Sequence, residues 1–449
     1  MNITILGAGE IGFYMADKLA AQSHNVTVIE ANERVAAEVS ETVDARVVHG
    51  NGSSVTLLEE ARISECDVFL GLSSDDNTNL VAASLAKSLG AKKSISRVHS
   101  DVQRDQWLLD FRTHFDVDYL FSSERLAAVE LAKHIRNPDC LIVEELARGR
   151  IELQQTPIQQ NSEAVGKRLR DLGLPPRVRV GSIQRGDQVI IPDGDESLDA
   201  DDVVTLFGNP RTLQDVVWRF RDGQTSRAET RVVIFGGGEY GFALAQMLEG
   251  GRFRTRIIER DAGRCEYLSK VLQRTTLINA DATSVQLLKE EQVGDADFFV
   301  GATLEDEDNV MTCLQAHDLG VKHCLTLIHR ADYADAVMRV GSKLGILGAV
   351  SPRVATAREL TRFLTDERFN TLVKLNGGID VIEFVVRAGG KLAGRAVAAV
   401  DWPKGSGLIS VTHGSHATVP AANDVLEAGD VVVAMIGRDS HKPFSALIS

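Results

Sequence analysis

Residues 3–12 read ITILGAGEIG, and residues 232–241 read VVIFGGGEYG, 229 positions later. In each stretch a β-branched run enters a GxGxxG turn, and a helical pattern follows. The repeat extends outward from there. VTVIE ends at Glu30, and TRIIE ends at Glu259 at the same offset. One inserted residue then shifts the register to 230, which pairs Asp67 with Asp297, Gly71 with Gly301, Asn79 with Asn309 and Gly90 with Gly320. So many matched landmarks make the chain a tandem duplication. This accounts for a length of 449 residues, too long for one ordinary domain.

Each copy alternates short strand-like runs with helical stretches. In the first copy the pattern predicts strands at 2–6, 26–30, 46–49, 67–71 and 94–98, and helices near 10–22, 33–42, 54–62 and 77–89. Such alternation implies a doubly wound parallel sheet covered on both faces, a Rossmann-like α/β fold. A helix over 126–135 follows, with Ser122 or Ser123 as its cap, and Ser351 before Pro352 gives a similar start in the second copy. After Pro138 the texture becomes period-2 apolar runs with turn signals, over 141–207 and again over 371–436. These predict small α+β lobes of mainly antiparallel strands. The expected order is a nucleotide lobe at 1–138, a small lobe at 139–222, a nucleotide lobe at 230–368 and a small lobe at 369–449. The polar stretch Arg219–Arg231 is the expected connector.

The glycine turns point to a phosphate cradle. Gly7 permits the tight turn, Gly9 lets a pyrophosphate approach the backbone, and Gly12 allows the helix to pack against the strand. The helix start adds N–H donors and partial positive charge, and Glu10 and Ile11 form its first turn. Glu30 follows Gly12 by 18 residues, where a carboxylate accepts from ribose hydroxyls and repels a 2′-phosphate. NAD or another adenine nucleotide is thus favoured over NADP. Gly236, Gly238, Glu239, Tyr240, Gly241 and Glu259 repeat the arrangement. The third strands end at Asn51 and Asp281, bordering an adenine and ribose pocket. Asn51 both donates and accepts there, whereas Asp281 only accepts. The loops after the fourth strands place Ser73, Asp76 and Asn79, and then Thr303, Asp306 and Asn309, at the ligand edge. An ordinary capped helix start is the competing reading. Arg97 ends the fifth strand with a charge suited to phosphate, and its repeat partner is Leu327.

Walker A, HExxH and GxSxG patterns do not occur in the sequence. The eleven histidines show no metal or triad spacing, and His413 and His416 read as a solvated turn. The small lobes repeat apolar strands and turns, not a candidate acid or base. No catalytic residue and no metal ligand is assigned. The formal charge of −14 argues against nucleic-acid binding and against adhesion to anionic lipid. No apolar run approaches the roughly 18 residues of a membrane span. The first residues enter a strand at once, which leaves no room for a signal peptide. Five cysteines without a CxxC are expected to be reduced thiols in a cytoplasmic protein.

With its two glycine turns, Glu30, Glu259, the Asp/Asn loops and the small-lobe runs Gly166-Lys167-Arg168-Leu169 and Ile183-Gln184-Arg185-Gly186, the chain resembles the TrkA family. These are peripheral regulatory subunits of bacterial Trk-type potassium uptake systems, built from two regulator-of-potassium-conductance (RCK) units. Gly394-Arg395 and Thr412-His413-Gly414 match in the second copy. The resemblance covers essentially the full length. It implies NAD(H), with ATP or ADP as alternative effector, acting as regulator and not as substrate. It also implies a cytoplasmic homotetramer, peripheral to the membrane, which gates an integral potassium-translocating partner. Asn51 departs from the family pattern, which commonly has Asp. The alternative class is an NAD-dependent oxidoreductase of an unidentified small metabolite, and a third reading is a nucleotide sensor for another cytosolic partner.

Overall fold

The computed structural model describes residues 1–99, 109–137, 140, 142–147, 150–186, 188–220, 229–249, 252–361, 363–364, 369–375, 378–414 and 416–448. Of the expected connector, 221–228 lie outside the described residues.

In the first copy, β1 (Asn2–Leu6), β2 (Asn25–Glu30), β3 (Arg46–His49), β4 (Val68–Gly71), β5 (Lys93–Arg97) and β6 (Tyr119–Phe121) form one parallel sheet. Its order is β3-β2-β1-β4-β5-β6. Successive side chains leave opposite faces: Ile3, Ile5, Val68 and Leu70 enter one core, and Leu6, Ile29 and Phe69 enter the other. Both faces are covered, so these strands read as nearly unbroken apolar runs. The order reverses at β1, which pairs Leu6 with Ile29 on one side and Gly71 on the other. Open α/β sheets bind ligands beyond the carboxyl ends of strands at this point.

The first small lobe is an antiparallel sheet of β7 (Ile142–Leu146), β8 (Ile151–Pro157), β9 (Arg179–Arg185), β10 (Gln188–Ile190) and β11 (Val203–Gly208). The second copy repeats the parallel sheet with β12 (Thr230–Phe235), β13 (Phe253–Glu259), β14 (Thr276–Asn279), β15 (Phe298–Gly301), β16 (His323–Leu327) and β17 (Ile346–Val350), in the order β14-β13-β12-β15-β16-β17. The second small lobe repeats the antiparallel sheet with β18 (Asn370–Leu375), β19 (Ile379–Val385), β21 (Ser406–His413), β22 (His416–Thr418) and β24 (Val431–Gly437), and adds a ribbon of β20 (Arg395–Ala396) and β23 (Val425–Leu426).

Three features go beyond the sequence expectation. Each parallel sheet has a sixth strand. Helix Pro210–Phe220, starting on a proline, buries Leu213, Val216, Val217 and Phe220 at helical spacing against the first small sheet. Helix His441–Leu447 seals the second small lobe through Phe444, which packs against Phe384 and Trp402.

The copies exchange helices. Helix Ser123–Arg136 lays Ala127, Ala128, Leu131, Ala132 and Ile135 into the core of the second copy, beside Ile234, Phe242 and Leu244. Ser122 caps it, its Oγ accepting from the Arg125 N–H at 3.1 Å. Helix Pro352–Thr361 returns the exchange: Ala357 and Leu360 join Ile5, Met15 and Leu19 in the first copy's core. Each fully buried leucine contributes about 1.5–3 kcal/mol. Polar contacts fix the crossing: Arg358 meets Glu130 at 2.9 Å, and the Tyr119 hydroxyl donates to Glu359 at 2.7 Å. The compact units therefore cut across the repeat. One is Met1–Arg136 with Ala228–Leu364, the other Asn137–Arg227 with Thr365–Ser449. Within the second unit the small sheets share a core, where Leu153 and Phe207 meet Val381, Ile409, Val433 and Met435.

Candidate functional site

The glycine turns are shaped by close approach. Gly7 has φ +88°, and a Cβ there would lie 2.6 Å from the Ser73 backbone. A Cβ on Gly12 would come within 1.9 Å of the Gly7 carbonyl, so only glycine lets helix Glu10–Ala21 sit this close to β1. Gly9 is different: nothing lies within 4 Å of its Cβ position, and this residue begins the helix with no side-chain cap. The unpaired N–H groups of the helix start thus face open space. Gly236, Gly241 and Gly238 repeat all three roles.

Glu30 ties this turn together. Its Oε2 accepts from the Ala8 N–H at 2.6 Å and its Oε1 from the Asn32 N–H at 2.8 Å. Glu259 does the same for Gly237 and Asp261, both at 2.7 Å. Each oxygen keeps lone-pair capacity for a hydroxyl. Asn51 and Asp281 each fold their Oδ1 back onto the residue two positions on, Ser53 at 3.0 Å and Thr283 at 3.0 Å. The bonds from Thr283, backbone first, hold the Asp281 carboxyl below its ordinary range. The remaining atom differs: an amide donor on Asn51, an acceptor oxygen on Asp281.

Several residues expected to touch a ligand are spent on the scaffold. Asn79 is fully buried. Its Oδ1 accepts from the Ser73 N–H at 2.9 Å, and its amide donates to the carbonyls of Ser73 and Arg97. Asn309 makes the same bonds to Thr303 and Leu327, and accepts from the Thr303 hydroxyl at 2.7 Å. Both brace the loop from below. Asp76 accepts from the N–H of His99 at 2.9 Å and from its Nδ1–H at 2.8 Å. Asp306 likewise holds His329, at 2.8 and 3.0 Å. Arg97 is taken by Glu124, Nη2 to Oε1 at 2.9 Å. Burial raises the Glu124 carboxyl, but Arg97 and the Ser122 hydroxyl outweigh it and leave it below its ordinary value.

A cavity of about 960 Å³ collects what remains. Of the expected residues it is lined by Gly7, Gly9, Glu10, Ile11, Glu30, Asn51, Ser73 and Arg97 of the first copy. Gly238, Glu239, Tyr240 and Thr303 of the second copy line the same cavity. Gly12, Asp76, Asn79, Gly236, Gly241, Glu259, Asp281, Asp306 and Asn309 lie outside it. The further lining residues include His99, Glu124, His329 and Arg353, none of which is among the expected site residues. His99 and His329 stand at the 230-residue offset, so the repeat register itself marks them. His329 is 8% exposed, and its Nε2, an acceptor when Nδ1 carries the proton, has no partner. The Tyr240 ring packs edge-on against it at 5.4 Å. Burial pushes the Tyr240 phenol well above its ordinary value, Glu124 adding to the effect and Arg97 opposing it.

Helix N-termini, two arginines and several carboxylates around one cavity suit a polar ligand that carries both anionic and hydroxyl groups. The TrkA-N domain model matches residues 3–110 and 232–352, and the TrkA-C domain model matches 153–219 and 381–447. The chain belongs to the TrkA family. It is 32% identical to a Trk system potassium uptake protein TrkA of Halomonas elongata, over 97% of this chain and 96% of the relative. A TrkA homolog of Archaeoglobus fulgidus is 31% identical, with 96% of each covered. Among solved structures, the GsuK RCK domain aligns with TM-score 0.61 and 17% identity, covering 100% of this chain and 94% of that one. The NAD-bound GsuK channel aligns at 0.62 and 18%, covering 100% and 78%. These two share the fold of this TrkA-family chain. Among the described residues, no helix is long and apolar enough to cross a membrane.

Proposed function

We propose that the chain is the nucleotide-responsive regulatory subunit of a Trk-type potassium uptake system. In this reading four lobes, 1–138, 139–222, 230–368 and 369–449, form a cytoplasmic protein. It assembles as a tetramer and sits at the membrane through an integral potassium-translocating subunit. NAD(H), or ATP or ADP, binds as effector at Gly7–Gly12 with Glu30, Asn51 and Ser73, and at Gly236–Gly241 with Glu259, Asp281 and Thr303. Asn79, Asn309, Asp76 and Asp306 support these sites from behind.

The observation that carries this reading is the pair of uncapped helix starts, at Gly9 and Gly238, opening on one cavity. A ligand there touches both copies, so its binding energy is able to favour one arrangement of the exchanged helices over another. A coupling of about 1–3 kcal/mol changes an equilibrium about 5- to 150-fold. The NAD- and ADP-bound GsuK structures share the fold, and what they bind supports an adenine nucleotide as the effector class.

The test is potassium flux through the reconstituted complex under each nucleotide, with calorimetry on the isolated chain. The expected result is a flux that follows nucleotide identity, and loss of the first-site isotherm in Gly9→Asp, where a charged side chain enters the cradle. Unchanged titration of that variant refutes the first-site assignment. Steady NAD-dependent turnover of a small metabolite by the pure chain refutes the regulatory reading.

A further inference from the structure

Resting on this nucleotide reading, we infer that Arg353, contributed by the second copy, receives the outermost phosphate of a nucleoside polyphosphate seated in the first copy's glycine cradle. Arg353 is the second residue of helix Pro352–Thr361, which crosses to the first copy. Its guanidinium Nη2 lies 3.3 Å from an oxygen of Glu10, the first residue after Gly9. The cation therefore sits at the open end of the helix start, on the same cavity as Gly7 and Gly9. Its Nε is buried and has no acceptor. A phosphate oxygen supplies that acceptor, and a planar guanidinium presents paired donors to phosphate.

Arg97 faces the cavity too, and its Nε also lacks a partner. The two arginines differ in what they would leave behind. The Arg97 partner, Glu124, has a side chain 4% exposed, so moving Arg97 strands a buried carboxylate. The Arg353 partner, Glu10, has a side chain 61% exposed and returns to water when released. The exchange of Glu10 for phosphate is thus open to Arg353 and closed to Arg97. Other acids at the cavity are already held: Glu30 by loop amides and Glu239 by Arg264 at 3.0 Å.

The repeat makes this site one-sided. Phe121 pairs with Arg97 as Val350 pairs with Leu327, which returns the offset from 230 to 229 at the sixth strand and places Glu124 opposite Arg353, a carboxylate where the second copy has a cation. At the second cradle Glu239, the counterpart of Glu10, is held instead by Arg264 of its own copy at 3.0 Å, whereas the arginine contact at the first cradle crosses between copies. The first site should discriminate by phosphate-chain length, binding ATP better than ADP.

Calorimetric titration of ATP and of ADP into the full-length chain tests this. The first site is identified as the component that Gly9→Asp removes. Arg353→Gln is expected to weaken ATP at that component about tenfold or more while changing ADP by less than about threefold, the size of one lost charge-assisted contact. Arg353→Lys should recover part of the loss, and Glu10→Gln, which frees the arginine in advance, should tighten ATP. Equal loss of ATP and ADP in Arg353→Gln, or no loss of either, overturns the inference and leaves the nucleotide reading standing. ATP binding unaffected by Gly9→Asp overturns both.

Discussion

The two copies solve one electrostatic problem in opposite ways. At the start of its crossing helix the first copy carries Glu124, and Arg97 at the end of β5 neutralises it. At the same two places the second copy carries Arg353 and Leu327. Arg353 finds its counter-charge on the other copy, at Glu10, and so β16 has no need of a cation. One buried ion pair lies within a copy, and the other, more exposed, joins the two. Duplication kept the backbone and let the charges diverge as a set.

The comparison breaks most sharply if the first copy is given the leucine of the second. Arg97→Leu leaves Glu124 buried and unpaired, with an expected loss of about 3–5 kcal/mol in denaturant unfolding of the full chain. Glu124→Gln in the same chain should restore most of it. Because Arg97 holds the folded carboxyl below its unfolded value, the pair's stabilisation is present above the unfolded value. It is lost as pH falls through the folded one. The gap between parent and Arg97→Leu should therefore narrow in acid. Equal stability of the two chains at neutral pH would rule out the pairing.

A smaller contrast lies under the loops. Asn79→Ala and Asn309→Ala each leave buried backbone groups without partners, at an expected cost of about 2–3 kcal/mol. Asn309 accepts one bond more, from the Thr303 hydroxyl, so its loss should be the greater by about 1 kcal/mol. A reversed order in matched melts would show that this bond contributes nothing.

The smallest contrast is in the second unit. Arg185 pairs with Asp202 at 2.7 Å in the first small lobe, and His413 pairs with Asp430 at 2.8 Å at the corresponding turn of the second. The hydrogen bond to Asp430, with Glu427 nearby, raises the His413 value above that of a free imidazole. A raised value means stabilisation that is complete below the unfolded value, about 6.5, and lost as pH rises through the folded one. His413→Arg should remove this pH dependence from thermal melts between about pH 6 and 8. If the variant and the parent keep the same pH profile, the contact does not act on stability.

What the sequence made legible follows from how much pattern each element carries. The long alternations, the glycine turns and the 229-residue offset place the sheets, the cradles and both copies. Tyr119–Phe121 is three residues long, too short to show a period. Helix Pro210–Phe220 carries a full stripe at 213, 216, 217 and 220, but it is short, borders the polar connector and follows a run of period-2 strands that masks its period. At the site, His99 and His329 show no local metal or triad spacing and are related only by the repeat. Arg353 is visible only once Glu124 is placed opposite it in register. Asn79 and Asp76 show the converse: a polar residue at a ligand edge has the same sequence signature whether it faces the ligand or the loop's own backbone.

The exchanged helices set the unit of folding apart from the unit of duplication. A chain ending near residue 220 would keep Ala127, Leu131 and Ile135 but lose the sheet they cover, and it would lack Ala357 and Leu360 over its own sheet. Such a half has an uncovered core face and a matching spare helix, and a second copy of itself offers the missing partner for both. The full-length chain is in this sense a homodimer written as one polypeptide. Linked in one chain, its two halves carry opposite charges at equivalent places, Glu124 in one and Arg353 in the other, which two identical subunits could not do.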